Sequence, residues 1–328
     1  MTYILQKFFQ KIMLQKPIFI PHVPLNTPVL FLIYNRPNIT KKVFSEIQKA
    51  KPKRLYVAAD GPPFGNMEEN KLCIDARSIL NDIDWECDIK TLIRDENLGC
   101  KKAVSEAINW FFENESEGII LEDDLLPSQS FFWYCQELLD YYRDDNRIMH
   151  IGGSNFQFGR NRSPYDYYFS RYAHVWGWAT WKKSWQHYKD IDYWSSKKLK
   201  ELFNSLESNR DFVKYWNNEM KKVKSGKIDT WDYQWTFTCW EKNGLSILPD
   251  INLVSNIGFG KNATHTKKFN PVSNIPNQEI RFPLHHPIKI TRSKKRDSFT
   301  EFGQFFKPFF LRLIYKIFRT DRIKINIF

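Results

Sequence analysis

Three adjacent carboxylates follow a short apolar run near the middle of the chain. Residues 118–121 (GIIL) have the pattern of a buried strand, and Glu122, Asp123 and Asp124 come directly after them. Negative charge at the edge of a core is unfavourable unless a positive group compensates it. Mg²⁺ and Mn²⁺ bind carboxylate oxygens, and a diphosphate can supply the remaining ligands. The stretch therefore indicates a metal–diphosphate site or, alternatively, two acids that cap a helix beginning near Ser128.

The elements that must position these acids are four strands alternating with helices in the first half of the chain. Apolar runs predict strands at 29–34, 55–59, 89–93 and 118–121. This alternation predicts an α/β fold with right-handed crossovers and a mostly parallel sheet flanked by helices. Ligands bind beyond the carboxyl ends of such strands. The polar residues expected there, besides the three acids, are Arg36, Asp60 and Asn97.

Two local details also follow from the pattern. Side chains alternate along a strand, so Glu122 and Asp124 are expected on one side and Asp123 on the other. Asn38 is expected to cap the first helix of this region. A single further strand is predicted in the second half, at residues 246–248, among aromatic-rich and helical segments.

The positive charge is concentrated at the two ends of the chain. The net charge is +12, of which residues 1–24 carry +3 and residues 289–328 carry +8, leaving +1 for the body. A nucleic-acid-binding protein would be expected to spread its basic residues over a folded face. Basic termini rich in Phe, Leu and Ile instead favour contact with an anionic membrane, with docking onto the body as the alternative.

Five scattered cysteines without a CxxC pair predict reduced residues in a cytosolic protein. The N-terminus has no cleavable signal pattern, and no run of about 18 apolar residues predicts a spanning helix. Neither GxGxxG nor GxxxxGK[ST] occurs, which disfavours dinucleotide-dependent redox chemistry and P-loop hydrolysis. The location expected from these features is the cytoplasm, at the inner face of the plasma membrane.

The acid triplet and its surroundings resemble the GT-A glycosyltransferases, with the N-acetylglucosaminyltransferase I type as the closest likeness. The most specific segment is Leu121-Glu122-Asp123-Asp124-Leu125 with Pro127, followed by Phe131-Phe132-Trp133-Tyr134. Weaker matches, in family order from about residue 28 to 266, are Tyr34-Asn35-Arg36, Asp60-Gly61, Gly177-Trp178, Trp231-Asp232 and Phe259-Gly260-Lys261. Bacterial members of this broader class commonly build surface polysaccharides.

The resemblance implies a metal-dependent inverting transfer of a sugar, GlcNAc or similar, from a UDP-sugar to a glycan or lipid-linked acceptor. The implied roles are Asp124 as the ligand of Mn²⁺ or Mg²⁺, Glu122 and Asp123 as contacts to sugar and ribose, Asp60 as acceptor from the uracil imide, Arg36 as a contact to nucleotide or phosphate, and Asp232 as the catalytic base. Asn97 and Lys101 resemble donor-binding positions of the broader inverting group. The family's uracil-binding segment is not reproduced around Asp60.

The implied organisation has four parts. Residues 1–24 form a basic lead-in, residues 25–150 a nucleotide-sugar-binding half, residues 151–288 an acceptor-binding half of the same domain, and residues 289–328 a basic amphipathic tail. From its loop, His265 could contact the diphosphate, although a lone loop histidine is often just exposed. Trp176, Trp178 and Trp181 could form an acceptor wall or belong to the core.

Several alternatives remain open at the level of sequence. The base could be Asp229, with Asp232 a helix first-turn acid stabilised by the dipole. The protein could be a sugar nucleotidyltransferase, although Tyr34-Asn35-Arg36-Pro37 is not the expected glycine- and arginine-rich loop. It could also be a non-catalytic, membrane-associated carbohydrate-binding protein with a transferase fold.

Overall fold

The computed structural model describes residues 19–159, 163–206, 209–259, 272 and 274–302. The strands among them are β1 (Val29–Ile33), β2 (Arg54–Ala59), β3 (Asp88–Ile93), β4 (Glu117–Glu122), β5 (Leu125–Pro127), β6 (Ile148–Gly152), β7 (Tyr167–Ser170), β8 (Trp178–Trp181), β9 (Leu245–Pro249) and β10 (Val254–Asn256). The α-helices are α1 (Pro37–Ala50), α2 (Met67–Arg77), α3 (Gly99–Asn114), α4 (Gln129–Tyr141), α5 (Lys182–Trp185), α6 (Ser196–Ser205), α7 (Arg210–Lys224), α8 (Asp232–Glu241) and α9 (Lys294–Thr300).

Eight strands form one sheet, in the order β3-β2-β1-β4-β8-β6-β9-β7. The first four strands run parallel to one another, and so do β6 and β9. β8 and β7 run antiparallel to their neighbours. The predicted α/β fold with a large, mostly parallel sheet is confirmed.

The central strand β1 is buried along its whole length and contributes to two cores. Val29, Phe31 and Ile33 pack on one face with residues of α1 and α4. Leu30 and Leu32 pack on the other face with residues of α3 and α8. Because both faces of β1 are covered by helices, its sequence is uniformly apolar rather than alternating.

The registers of the parallel strands align their carboxyl ends. Ile33 of β1 lies beside Ala59 of β2, and Ala59 lies beside Ile93 of β3. On the other side, Leu32 lies beside Glu122 of β4. The residues that follow these strands therefore leave the sheet at one edge.

A second, two-stranded sheet brings a distant part of the chain to the same edge. β5 and β10 pair antiparallel, with Asn256 opposite Leu125. The Ile257 backbone N–H then donates to the Asp124 carbonyl oxygen at 2.8 Å. The residues after β10 are thereby fixed against the end of the acid triplet.

The second half of the chain also contains a separate aromatic core. Trp194, Trp216 and Trp240 are each at most 2% exposed and pack with apolar residues of α6, α7 and α8. The three tryptophans predicted as a possible acceptor wall differ in how deeply they are buried. Trp178 and Trp181 are buried in the cores of the sheet, whereas Trp176 is only partly buried.

The structure corrects two details of the sequence prediction. Asn38 does not cap the first helix, because α1 begins one residue earlier, at Pro37, with Arg36 in the cap position. Strand β4 ends at Glu122, so the alternation predicted for the acids does not extend through Asp123 and Asp124. The strands β5, β6, β7, β8 and β10 were absent from the prediction.

The described part of the tail packs on the body. Asp297 accepts a hydrogen bond from the Ser170 hydroxyl at 2.6 Å, and Glu301 forms an ion pair with Arg171 at 2.5 Å. Residues 1–18 and 303–328, which the membrane prediction concerns, lie outside the described residues. Within the described ranges, no helix is both long and apolar enough to cross a membrane. All five cysteines are free thiols, as predicted.

Candidate active site

A cleft of about 930 Å³ opens at the carboxyl ends of the parallel strands. Its walls come from the ends of β1, β2 and β4, the first turn of α3, the loop before α8, and the residues after β10. Most predicted site residues line this one cleft: Arg36, Asp60, Asn97, Glu122, Asp123, Asp124 and Asp232. The cleft therefore brings together residues that lie far apart in the sequence.

Arg36 joins two members of the acid triplet. Its Nη1 donates to Asp124 Oδ2 at 2.9 Å, its Nε donates to Asp123 Oδ2 at 3.3 Å, and its Nη2 donates to Asp123 Oδ1. The chain turns after Glu122, so both aspartates reach one guanidinium instead of facing opposite sides of the sheet. The Asp123 side chain is 3% exposed, and its charge is therefore compensated largely inside the protein.

Burial raises the pKa values of two of the three acids, Glu122 and Asp123. Burial raises the pKa of Glu122 to about 8, and the charges of Asp124 and Asp123 act in the same direction. Burial also raises the pKa of Asp123 to about 6, while Arg36 acts in the opposite direction. At neutral pH, the triplet thus holds a proton on Glu122. A bound cation would favour the fully ionised form.

Asp124 lines the cleft beside Gly258. Its Oδ2 contacts Arg36, while Oδ1 has no hydrogen-bond partner among the described residues. Gly258 packs so close that a Cβ atom there would lie 2.0 Å from Asp124 Oδ2. The described residues contain no group of three or more His, Cys, Asp or Glu side chains that could hold a metal by themselves. The donor set fits a cation held by one carboxylate, with water and a diphosphate supplying the other oxygens.

Asp60 and Asn97 form a network beside the ends of β2 and β3. Asp60 Oδ1 accepts from the backbone N–H groups of Gly61 and Leu98, each at 3.0 Å. Asn97 Nδ2 donates to Asp60 Oδ2 at 3.2 Å and to the Gly61 carbonyl oxygen at 2.9 Å. Burial raises the pKa of Asp60, and the backbone N–H groups act in the opposite direction. In this structure Asp60 holds the loop that enters α3.

Tyr34 and Glu69 also line the cleft, although the sequence analysis gave neither of them a role of its own. The Tyr34 hydroxyl donates to Glu69 Oε1 at 2.6 Å and accepts from Asn97 Nδ2 at 2.9 Å. Tyr34 directly follows β1, so its place at the strand end was a usable signal. Glu69 lies in the first turn of α2, where an acid is ordinarily explained by the helix dipole. Nothing in its sequence context marks it as part of the cleft.

The cleft is also lined by Asp229 and Asp232, from the segment that enters α8. Asp232 is the first residue of that helix, and its Oδ1 accepts a hydrogen bond from the Thr230 hydroxyl. Asp229 Oδ2 accepts from the backbone N–H of Lys101 at 3.3 Å. Between them, Trp231 is 2% exposed and stacks on Trp178 with ring centroids 5.5 Å apart.

The remaining predicted residues are placed differently. Lys101 does not line the cleft, and its Nζ lies 3.8 Å from Asp190 Oδ1. His265 lies outside the described residues. Lys227, which the sequence analysis did not single out, does line the cleft, as does Trp176.

No protein-family model matches the chain, and no curated protein matches it either. Similar solved structures include HddC from Yersinia pseudotuberculosis, 12% identical over 48% of this chain and 77% of that chain, with a TM-score of 0.30. Mouse xyloside xylosyltransferase 1 is 10% identical over 67% of this chain and 84% of its own, with a TM-score of 0.36. A UDP-glucose pyrophosphorylase complexed with UDP-glucose is 8% identical over 68% and 90%, also with a TM-score of 0.36. Similarities this distant carry no argument about the activity of this chain.

Proposed function

We propose that the protein is a glycosyltransferase of the GT-A type. It transfers a sugar, with inversion and with the help of a divalent cation, from a UDP-sugar to a hydroxyl of a glycan or lipid-linked acceptor. The observation that carries the proposal is the placement of Arg36, Asp123 and Asp124 in the same cleft as Asp232. Residues 25–150 are called the donor half below, and residues 151–288 the acceptor half.

The charge of the cleft supports a cation-assisted diphosphate site. Among the described residues, seven acidic side chains line it against three basic ones. The acids are Asp60, Glu69, Glu122, Asp123, Asp124, Asp229 and Asp232, and the basic residues are Arg36, Arg94 and Lys227. A diphosphate adds further negative charge, which would be repelled unless a cation came with it. Within the described part of the chain, Asp124 keeps one carboxylate oxygen without a hydrogen-bond partner for such a cation, while Arg36 already compensates Asp123.

The reaction needs a second carboxylate away from the diphosphate. Asp232 takes the proton from the acceptor hydroxyl as that oxygen forms a bond to the anomeric carbon of the sugar. The bond from this carbon to the diphosphate oxygen breaks, and the nucleoside diphosphate leaves with the electron pair. When bound, a divalent cation neutralises the charge that develops on the leaving group. Arg36 orients the Asp123 and Asp124 carboxylates through its three hydrogen bonds.

The nucleoside is assigned to the end of the cleft that contains the Asp60–Asn97 network. The Nδ2 atom of Asn97 donates to three oxygens, which orients the amide. Its side-chain oxygen, Oδ1, has no hydrogen-bond partner among the described residues, and we assign it to accept from a base or ribose. Asp60 supports this arrangement by holding the loop at Leu98.

The test is a panel of UDP-, GDP- and CMP-sugars with purified protein, each with and without Mn²⁺. We expect one UDP-sugar to raise the melting temperature and to be hydrolysed slowly in the presence of Mn²⁺, and EDTA to abolish both effects. An absence of response to every nucleotide sugar, with or without metal, would contradict the proposal.

A parallel assay separates the proposed activity from sugar nucleotidyl transfer. A nucleotidyltransferase joins a nucleoside triphosphate to a sugar 1-phosphate and releases pyrophosphate. We expect no pyrophosphate from UTP, GTP or CTP with a panel of sugar 1-phosphates. Pyrophosphate release without nucleotide-sugar hydrolysis would assign the cleft to that chemistry instead.

A further inference from the structure

The first turn of α3 is capped by a residue from the opposite wall of the cleft. The N-cap residue of α3 is Leu98, whose side chain makes no capping hydrogen bond. The Asp60 carboxylate accepts from the Leu98 N–H just before this turn, and within the turn the Asp229 carboxylate lies 3.3 Å from the Lys101 backbone nitrogen. A helix N-terminus has unsatisfied N–H groups and a partial positive charge, so a carboxylate is well suited to this place.

Gly99 allows this close approach. Its φ angle is +77°, and a Cβ atom there would lie 2.7 Å from Asp229 Oδ2. A larger residue would have to adopt an unfavourable backbone conformation and displace the carboxylate. The hydrogen bond between Asp229 and Lys101 therefore requires both the glycine at position 99 of α3 and the acid at position 229 of the loop.

The loop that supplies Asp229 also supplies the proposed base. Asp232 follows three residues later, and Trp231 between them is buried against Trp178 and Trp235. The capping contact and the buried tryptophan therefore hold the chain on either side of Thr230. The Thr230 hydroxyl, in turn, donates to Asp232. The position of Asp232 relative to the donor half is set through this short segment.

We propose that Asp229 is a positioning residue for the transfer reaction. By capping α3 across the cleft, it fixes the distance between Asp232 and the donor bound at the strand ends. The inference rests on the proposed function, since it concerns the same reaction. It also assigns different roles to the two acids that sequence alone left as alternative bases.

The test compares two substitutions at Asp229. Asp229→Ala removes the capping acceptor, and we expect kcat to fall on the order of 10²-fold, because a small misplacement of a catalytic group has effects of this size. The donor KM should change less than threefold, because Asn97 remains held by its hydrogen bonds to Tyr34, Asp60 and Gly61. Asp229→Asn keeps an oxygen that accepts from Lys101, so we expect it to retain most of the wild-type kcat and an unchanged pH profile. If Asp229 were the base, Asp229→Asn would be as inactive as Asp229→Ala, and this result would overturn the proposal.

Gly99→Ala tests the same contact from the other side. We expect it to reproduce the loss of kcat seen in Asp229→Ala, and the double variant to be hardly worse than either single variant, because both remove one interaction. Full additivity of the two losses would contradict the inference. Asp211→Asn is the matched control: Asp211 is an exposed first-turn acid of α7, and its removal should leave kcat within about twofold of wild type.

Amide hydrogen exchange separates this inference from the proposed function. In the folded Asp229→Ala variant, we expect faster exchange at the amide of Lys101 and in residues 225–232, with melting still cooperative. This readout needs no substrate, so it remains informative if wild type proves inactive on every nucleotide sugar. Unchanged exchange in both segments would overturn the inference whatever the activity, whereas faster exchange with an inactive wild type would reject the proposed function alone.

Discussion

The two halves of the molecule hold their carboxylates in different ways. In the donor half, Asp123 and Asp124 share a guanidinium, and Asp123 is almost completely buried. In the acceptor half, Asp232 stands at the start of a helix and accepts from the neutral hydroxyl of Thr230. A carboxylate that shares a buried guanidinium is suited to holding charge, and a carboxylate at a helix start is suited to meeting an acceptor hydroxyl. Under the proposed function, the two groups of acids therefore have separate tasks.

The halves also differ in how their strands are connected. In the donor half, β1 to β4 lie side by side and parallel, each joined to the next through helical segments. In the acceptor half, β8 is inserted between β4 and β6, and β7 ends up at the far edge. The donor half therefore presents a row of strand ends, while the acceptor half contributes a helix start and a loop.

The largest effect is expected from matched Asp→Asn substitutions on the two walls. Asp232→Asn should lower transfer by about 10³-fold, because it removes the general base. Donor binding should be nearly unchanged. Asp124→Asn should lower transfer as well, and it should also weaken Mn²⁺-dependent donor binding on the order of 10²-fold. Calorimetry with the donor in the presence of Mn²⁺ measures the binding, and a radiolabelled or coupled assay measures the transfer.

The comparison between the walls depends on the contrast between these two variants. An equal loss of donor affinity in both would mean that Asp232 contacts the donor or its cation, and the assignment of the base would be wrong. If donor binding to Asp124→Asn depended on Mn²⁺ as strongly as in wild type, the assignment of Asp124 as the metal ligand would also be wrong.

A second large effect is expected on stability in the donor half. Arg36→Met should destabilise the fold by about 3 kcal/mol, because it leaves the buried Asp123 without its cation. The control is Arg147→Met, which breaks an ion pair whose arginine side chain is 63% exposed, and the expected loss is much smaller because solvent screens this pair. Urea denaturation of both variants measures the difference. Similar losses in the two variants would show that Asp123 does not depend on Arg36 for its charge.

Most of the donor half was predictable from local patterns. The uniformly apolar strand β1 and the spaced apolar residues of α1 and α3 are signals that extend over a few residues. Once the strands are known to be parallel, the placement of Asp60 and the acid triplet at one edge follows from topology alone. The pairing of Arg36 with both aspartates did not follow, because it depends on the turn after Glu122 and on where α1 begins.

The acceptor half was less predictable because its strands are defined by distant partners. β8 pairs with β4, whose residues lie some 60 positions earlier in the chain. The short strand β10 pairs with β5, again far away in sequence. Runs as short as three or four residues, such as 178–181, carry little periodic signal. The contact of Asp229 with α3 was hidden for the same reason, since its partner lies 128 residues away.

The smallest effect is a dependence of stability on pH that has opposite signs at two buried groups, His150 at the boundary of the two halves and Glu122 at the strand ends of the donor half. At the end of the donor half, where it contacts residues of the acceptor half, burial lowers the pKa of His150 to about 3. Its Nδ1 accepts from Trp235 Nε1 at 3.2 Å, so Nε2 carries the hydrogen that is donated to the His174 carbonyl oxygen at 3.1 Å. In the donor half, burial raises the pKa of Glu122 to about 8.

The signs follow from which state binds more protons. An unfolded histidine takes up a proton near pH 6.5, whereas folded His150 does so only near pH 3, so its contribution falls as the pH falls between these values. The contribution of Glu122 rises as the pH falls, because folded Glu122 binds a proton at a higher pH than an unfolded glutamate does. His150→Gln keeps an acceptor and a donor but does not titrate. Between pH 7.5 and 5.5, wild type should therefore lose about 1.4 kcal/mol relative to this variant. Urea denaturation at both pH values measures this, and parallel curves would mean that His150 is accessible to protons in the folded state.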